Sequence, residues 1–246
     1  MCNRIAVVLL LVACCMVTGS ARAQQSLLSS KAAIGKQETL YGEFLRVLVE
    51  GNRSDSLEGS FYYLGQGRIY FEIVHPLNQV LLVHHNVITI YYPDRHRGFI
   101  LEGKSPAILP LVPAITAAIR PDYGLTNLGF QIYDQNVRGD TLFTFWHHPV
   151  GGEELGRFRL AKAGERLSYA VYEPPDTDGA IRTTFEEFKP IGSYIFPSKI
   201  RTENVNMAKK AQEILWLKNI RVNPDIPVRV SEFKIPDDAV IEKKKL

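Results

Sequence analysis

Apolar residues recur at every second position in short runs between residues 41 and 102, and this spacing constrains the fold of the chain most. In one run, Ile69, Phe71 and Ile73 alternate with other residues, and the run ends at Pro76. The runs are rich in β-branched and aromatic residues and are separated by Gly, Pro and Asn, which is typical of strands joined by tight turns. The pattern predicts an antiparallel meander.

The same signals return after Tyr123. Gly139-Asp140 and Gly164-Glu165 are turn sequences that predict two further hairpins, and strands follow at 181–188 and 195–203. Residues 208–222 fit a helix or a strand, and we favour a strand because prolines follow closely. Such a large sheet must curl, because strands twist. We therefore predict one mainly β (α+β) domain over residues 24–246: an open antiparallel β half-barrel with an N-terminal helix and an apolar lid helix.

Two segments break the strand pattern. Residues 25–40 carry apolar residues at helical spacing, which predicts a short amphipathic helix, although a frayed terminus fits as well. Residues 105–120 hold three prolines and no charge before Arg120, and Pro113 can begin a helix. This segment is too short to span a bilayer. Two interpretations stay open for it: a buried helix that plugs one end of the sheet, or a mobile lid.

The first 23 residues have the pattern of a secretory signal peptide. Arg4 precedes an apolar run over residues 5–13, and Ala21-Arg22-Ala23 supplies the small residues of a cleavage site. Cleavage there predicts a mature, exported, periplasmic protein that begins at Gln24. Leu11-Val12-Ala13-Cys14 also resembles a bacterial lipobox, so an outer-membrane lipoprotein anchored through Cys14 is the alternative.

Cysteine content indicates that the mature chain lacks disulfides, and net charge indicates which partners it lacks. Cys2, Cys14 and Cys15 all lie in the signal, so the mature chain has no disulfide and depends on an ordinary core. Loss of Arg4 and Arg22 with the signal reduces the formal net charge from +3 to +1. This charge is too small to indicate a nucleic-acid partner. The C-terminal lysine run 243–245 is interpreted as a solvated tail.

The sequence contains no pattern that predicts catalysis. On strands, the neighbouring side chains of His84-His85 and of His147-His148 would diverge, so neither pair could hold one metal ion. The sequence lacks HExxH, CxxC, GxSxG and P-loop motifs. We therefore expect no catalytic residue, no metal and no cofactor. A secreted hydrolase with an unrecognised site remains the less favoured alternative.

Several motifs resemble a known family. R-x-x-F-x-x-x-x-P occurs at 68–76, an apolar run at 79–83, Y-x-P at 91–93 and F-x-x-P at 233–236. The chain resembles the periplasmic outer-membrane lipoprotein carriers (LolA/LolB-like). The resemblance implies an open β-barrel covered by helices, whose hydrophobic cavity shields lipoprotein acyl chains between an inner-membrane donor complex and an outer-membrane acceptor. The family's usual lid-latching Arg is absent, since Tyr63-Leu64-Gly65 stands in its place.

These observations predict a carrier that shields lipid or lipoprotein acyl chains during outer-membrane lipoprotein sorting. An anchored lipoprotein receptor or envelope assembly factor is the alternative. From composition alone, side chains that simply fill the interior fit as well as a cavity does. Strand parity selects the cavity lining, and a shift of one residue would reverse a face. The predicted ligand-binding residues are Phe44, Val47, Phe61, Tyr63, Phe71, Ile73, Leu82, Ile90, Tyr92, Ile108, Leu111 and Ile115.

Overall fold

The computed structural model describes most of the chain after residue 38. The described residues are 39–65, 67–84, 87–103, 115, 120, 122–151, 154–164, 166–175, 177–192, 194–207 and 210–245. The predicted signal peptide and the predicted N-terminal helix lie outside them, apart from Thr39 and Leu40. Leu40 is not helical, because it begins the first strand. The predicted lid segment 105–120 also lies outside them, apart from Ile115 and Arg120.

One mixed sheet dominates the described residues. It contains β1 (Leu40–Glu50), β2 (Arg53–Tyr63), β3 (Ile69–His75), β4 (Gln79–His84), β5 (Val87–Tyr92), β6 (Arg97–Glu102), β7 (Gln131–Arg138), β8 (Thr141–His147), β9 (Arg157–Ala163), β10 (Arg166–Glu173), β11 (Ala180–Ile191), β12 (Tyr194–Val205), β13 (Ala211–Val222) and β14 (Val240–Lys245). Short 3-10 turns cover Pro93–Arg95 and Thr126–Leu128, and one four-residue helix, α1, covers Val228–Ser231. None of the helices in this part of the chain is long and apolar enough to cross a bilayer.

Two meanders meet in the middle of the sheet: β1–β6 form the first meander, and β7–β13 form the second. The strand order is β14-β6-β5-β4-β3-β2-β1-β13-β12-β11-β10-β9-β8-β7, so β1 pairs with β13 and joins the first meander to the second. The two ends, β14 and β7, are separate edges, which makes the sheet open. The ambiguous segment 208–222 contains strand β13, as predicted. The predicted Gly139-Asp140 hairpin also forms, with Gly139 at φ 63° between β7 and β8.

The C-terminal lysines correct the sequence prediction. Their side chains are exposed, as predicted, but the run is not a free tail. It ends β14, which pairs in parallel with β6 and makes the sheet mixed rather than antiparallel. The chain supplies this strand because Val240 and Ile241 favour extended backbone, and Arg97 of β6 forms an ion pair with Glu242. Lysine side chains on an edge strand discourage pairing with another sheet, so the run is compatible with a strand at this place.

The larger apolar cluster covers one face of the sheet, which we call the inner face. It draws buried side chains from both meanders, including Phe44, Phe71, Leu160, Phe185 and Leu215. The opposite, outer face carries a smaller cluster on the first meander, where Tyr62 and Tyr70 pack with Val230 and Phe233 of the C-terminal segment. On β11 and β12 the outer face is charged, and the Lys199 Nζ lies 3.0 Å from the Glu186 Oε2. The two faces therefore differ in polarity across the second meander.

Candidate functional site

The inner face forms a continuous apolar surface at the junction of the two meanders. The Phe44 and Phe71 rings meet edge to face with their centroids 6.0 Å apart, although β2 runs between their strands. Gly59, the β2 residue that pairs with Phe44, carries no side chain, and a Cβ there would lie 2.1 Å from the backbone oxygen of Glu72. A Cβ at Gly42 would lie 2.5 Å from the Phe61 ring and 2.4 Å from Ile220. The absence of a side chain at Gly42 leaves room for Phe61 and Ile220, and its absence at Gly59 lets the β3 backbone approach β2.

Most of the predicted lining residues that the structure describes share the inner face. The apolar cluster on this face contains Phe44, Phe61, Tyr63, Phe71, Ile73 and Ile115, and Ile90 packs against it. Tyr92 lies two residues beyond Ile90 on β5, and its ring meets Phe99, the residue paired with Ile90. Ile108 and Leu111 lie outside the described residues.

Two predicted lining residues lie on the outer face. Leu82 packs in the outer cluster, while its neighbours Leu81 and Val83 point to the inner face. Val47 pairs with Ile214. Because Ile214 is next to the inner-face residue Leu215, both Ile214 and Val47 lie on the outer face. The physical reason is the period of two: Val47 is three residues from Phe44, so both cannot face the same side of a regular strand.

A segment before β7 covers part of the inner face. Tyr123 meets Phe158 of β9 and Phe185 of β11 at centroid distances of 6.1 and 6.3 Å. Leu125 is fully buried in the same cluster. Ile115, from the segment predicted as a lid, is 1% exposed and also belongs to this cluster. The chain between β6 and β7 therefore contributes apolar cover to the sheet.

Polar groups interrupt the apolar surface in one row. The Thr183 and Thr202 hydroxyls lie 3.1 Å apart, and the Tyr123 hydroxyl lies 3.5 Å from that of Thr183. Farther along the row, the Arg46 guanidinium donates to the Glu213 carboxylate at 2.7 Å. Burial raises the pKa of Tyr123, and the nearby charge of Glu213 adds to this effect. Tyr123 is therefore a neutral hydrogen-bonding group at physiological pH.

Sequence reasoning missed this polar row and much of the inner face. Strand parity from Phe44 assigns Arg46 to the same side, but a charged side chain gives no signal for an apolar surface unless its partner Glu213, far along the chain, is known. Three consecutive apolar residues at 81–83 conceal which side of β4 faces the core. Missed inner-face residues include Leu81, Val83, Ile88, Leu125, Phe130, Trp146, Leu160, Phe185, Phe196, Ile200, Leu215 and Leu217.

A cavity opens where β12 and β13 separate. These strands pair only between Lys199–Glu203 and Gln212–Trp216; beyond that point β12 pairs only with β11, and β13 only with β1. The cavity in this fork has a volume of about 260 Å³. It is lined by Lys189, Ile191, Phe196, Pro197, Ser198, Leu217, Lys218, Asn219 and Ile220.

The histidine side chains make separate contacts. The His147 ring meets Tyr133, whereas His148 meets Phe130 and accepts hydrogen bonds from the backbone N–H groups of Val150 and Gly151. Within the described ranges, no three His, Cys, Asp or Glu residues are grouped so that they could hold a metal ion.

The fold is similar to solved structures of the LolA superfamily. A LolA superfamily protein from Nitrosomonas europaea superposes with a TM-score of 0.61 at 14% identity, over 83% of this chain and 95% of that one. An outer membrane lipoprotein-sorting protein domain from Vibrio parahaemolyticus gives 0.62 at 10% identity, over 84% and 93%. A DUF1329 family protein from Desulfovibrio piger gives 0.61 at 13% identity, over 85% and 95%. No protein-family model and no curated protein matches the sequence.

Proposed function

We propose that this chain is a non-enzymatic carrier that shields lipid or lipoprotein acyl chains against its inner face. The observation that carries the proposal is the continuous apolar surface on one side of an open sheet that has the LolA-like fold. Each methylene moved from water into an apolar site contributes about 0.8 kcal/mol, so about a dozen methylenes supply roughly 10 kcal/mol. Such a ligand needs apolar area and no catalytic group.

The covering segment supports this function. Tyr123, Leu125 and Ile115 pack on the inner face from outside the sheet. A half-barrel with apolar cover can exchange side-chain contacts for contacts with an acyl chain at little cost in exposed apolar area. The two similar structures from the LolA superfamily and from lipoprotein sorting add weight to a role in the cell envelope.

The proposed location is the periplasm, with an inner-membrane donor and an outer-membrane acceptor. It depends on residues 1–23 acting as a cleaved signal, with residues 24–246 as one mature domain. Lipidation at Cys14 would instead give an anchored receptor. The mass of the mature N-terminus separates the two: a chain that begins at Gln24 supports the carrier, and a diacylglyceryl cysteine supports the receptor.

The proposed function is tested by acyl-chain binding with a matched pair of variants. Leu57 of β2 packs on the inner face, whereas Leu45 of β1 lies on the outer face opposite Trp216. We expect the purified mature protein to carry lipid in native mass spectrometry. Leu57→Gln is expected to weaken binding of a fluorescent fatty acid about five-fold, the scale of burying one polar group, while Leu45→Gln leaves it unchanged. Absence of both co-purified lipid and fatty-acid binding would contradict the proposal.

A further inference from the structure

We propose that the fork between β12 and β13 is a binding slot for the end of a single acyl chain whose head group is anionic. This proposal rests on the proposed function. It adds to that function the class of amphiphile that binds and the place where its acyl chain enters. Its volume, about 260 Å³, lies just below the roughly 300–1,000 Å³ of most small-molecule sites. This size suits one chain end rather than a complete multi-chain lipid.

The sequence creates the fork at both of its strands. Pro197 in β12 has no N–H to offer a neighbouring strand. In β13, Asn219 adopts φ 51°, and the β1 pairing shifts there, so that Glu43 pairs with Lys218 and Tyr41 with Arg221. Such a β-bulge bends its strand and disrupts the ladder locally. A proline on one strand and a bulge on the other therefore keep the two strands apart.

The fork connects the inner face to solvent. Phe196 and Leu217 are buried members of the inner-face cluster, and Ile191 and Ile220 pack against it. All four line the cavity. The Ser198 hydroxyl donates to the Glu187 carbonyl at 2.7 Å, so this polar group on the β12 side of the slot already has a partner. An acyl chain entering the slot thus meets an apolar wall continuous with the surface proposed to hold cargo.

Two ammonium groups lie at the rim. Lys189 and Lys218 are exposed, both line the cavity, and neither makes an ion pair with another described residue. Glu43 pairs across the strands with Lys218, but its Oε2 accepts from Asn219 at 2.8 Å and its Oε1 from Tyr41 at 3.1 Å. An apolar slot rimmed by two lysines favours a carboxylate or phosphate head group over a cationic or neutral one.

The dependence of binding affinity on the head group of the amphiphile tests the slot. We expect laurate to bind the mature protein more tightly than dodecyl maltoside, and dodecyltrimethylammonium more weakly than either. Neutralising both rim charges with Lys189→Gln and Lys218→Gln should weaken laurate binding about five-fold, the scale of two exposed charge contacts, and leave dodecyl maltoside binding unchanged. The matched control replaces the exposed lysines Lys210 and Lys234, which lie outside the cavity, and should change neither affinity.

Tryptophan quenching locates the bound chain. The protein has two tryptophans: Trp216, at the last β12–β13 pair before the fork, and Trp146 on β8. Trp216 lies on the outer face, so the reporter in the slot is Ile191→Trp in a chain that also carries Trp146→Phe and Trp216→Phe. A bromine-labelled long-chain carboxylate should quench this tryptophan strongly, and it should quench Trp146 in the Trp216→Phe variant weakly. Equal affinities for the three amphiphiles, or stronger quenching of Trp146, would overturn the slot while leaving the carrier proposal standing. Failure of every amphiphile to bind would overturn both.

Discussion

Arg46 and Glu213 form an ion pair between β1 and β13 on the inner face, with 2.7 Å between Nη2 of the arginine and Oε2 of the glutamate. The side chains are only 13% and 6% exposed. A buried pair of this kind contributes little net stability when intact, because both charges lose their hydration. Its main consequence is that neither partner can be removed alone without leaving a charge in an apolar surrounding.

Arg46→Met should therefore destabilise the protein by about 3–5 kcal/mol, the usual cost of breaking a buried pair. The double variant Arg46→Met with Glu213→Leu should recover most of this loss, because no unpaired charge remains. Urea unfolding of the wild type, both single variants and the double variant measures the coupling free energy. Additive single effects would show that the two side chains do not depend on each other.

Gly42 is predicted to tolerate no side chain. A Cβ at this position would approach the Phe61 ring and Ile220 to less than 3 Å, so Gly42→Val should cost about 1–3 kcal/mol through forced repacking. Gly192 is the matched control, since its φ of 60° suits asparagine and nothing lies within 4 Å of its would-be Cβ. Gly192→Asn should change the Tm little. A small loss at Gly42 would show that Phe61 moves aside freely.

Tyr123 should lower the free energy of unfolding at alkaline pH. Burial raises its pKa above the usual value of 10.0, so the native state holds this proton more tightly than the unfolded state does. The contribution is complete below pH 10 and is lost as the pH rises through the raised pKa. Tyr123→Phe should flatten the fall in unfolding free energy above pH 10. Tyr133→Phe, at a ring that is 51% exposed, should leave the fall unchanged.

The sequence predicts which segments are strands more clearly than it predicts which face of the sheet each side chain occupies. Over Ile69–His75, Ile69, Phe71 and Ile73 alternate with Tyr70, Glu72 and Val74, so the period of two indicates a strand, and the charged Glu72 marks the side away from the larger cluster. In β4, Leu81, Leu82 and Val83 are all apolar, so the period does not reveal that only the first and third face inward. The face that Leu82 occupies depends on Val230 and Phe233, about 150 residues later in the chain, and no local pattern contains that contact.

Long-range partners also explain the other differences. β14 forms because β6 offers an unpaired edge, a property of the folded sheet and not of the lysine-rich segment. The fork depends on a bulge whose signal, Asn219 at positive φ, resembles an ordinary strand residue in sequence. Tyr123 reaches β9 and β11 from a turn between strands. In each case the local residues permit the structure, and a distant element selects it.

The C-terminal segment packs on the outer face through Val230 and Phe233. The Phe233 ring lies 5.4 Å from that of Tyr70 and 6.5 Å from that of Tyr91, and Arg229 forms an ion pair with Glu72. Because Phe233 is partly buried, Phe233→Ala should destabilise the protein by about 2 kcal/mol, less than a full core truncation. It should also release the segment between β13 and β14, so that trypsin cleaves at Arg229 and Lys234 faster than in the wild type. Val228→Ala is the control, because Val228 is 69% exposed in the same helix and should alter neither stability nor cleavage. Unchanged proteolysis of Phe233→Ala would mean that the Arg229–Glu72 pair and β14 hold the segment without the aromatic contact.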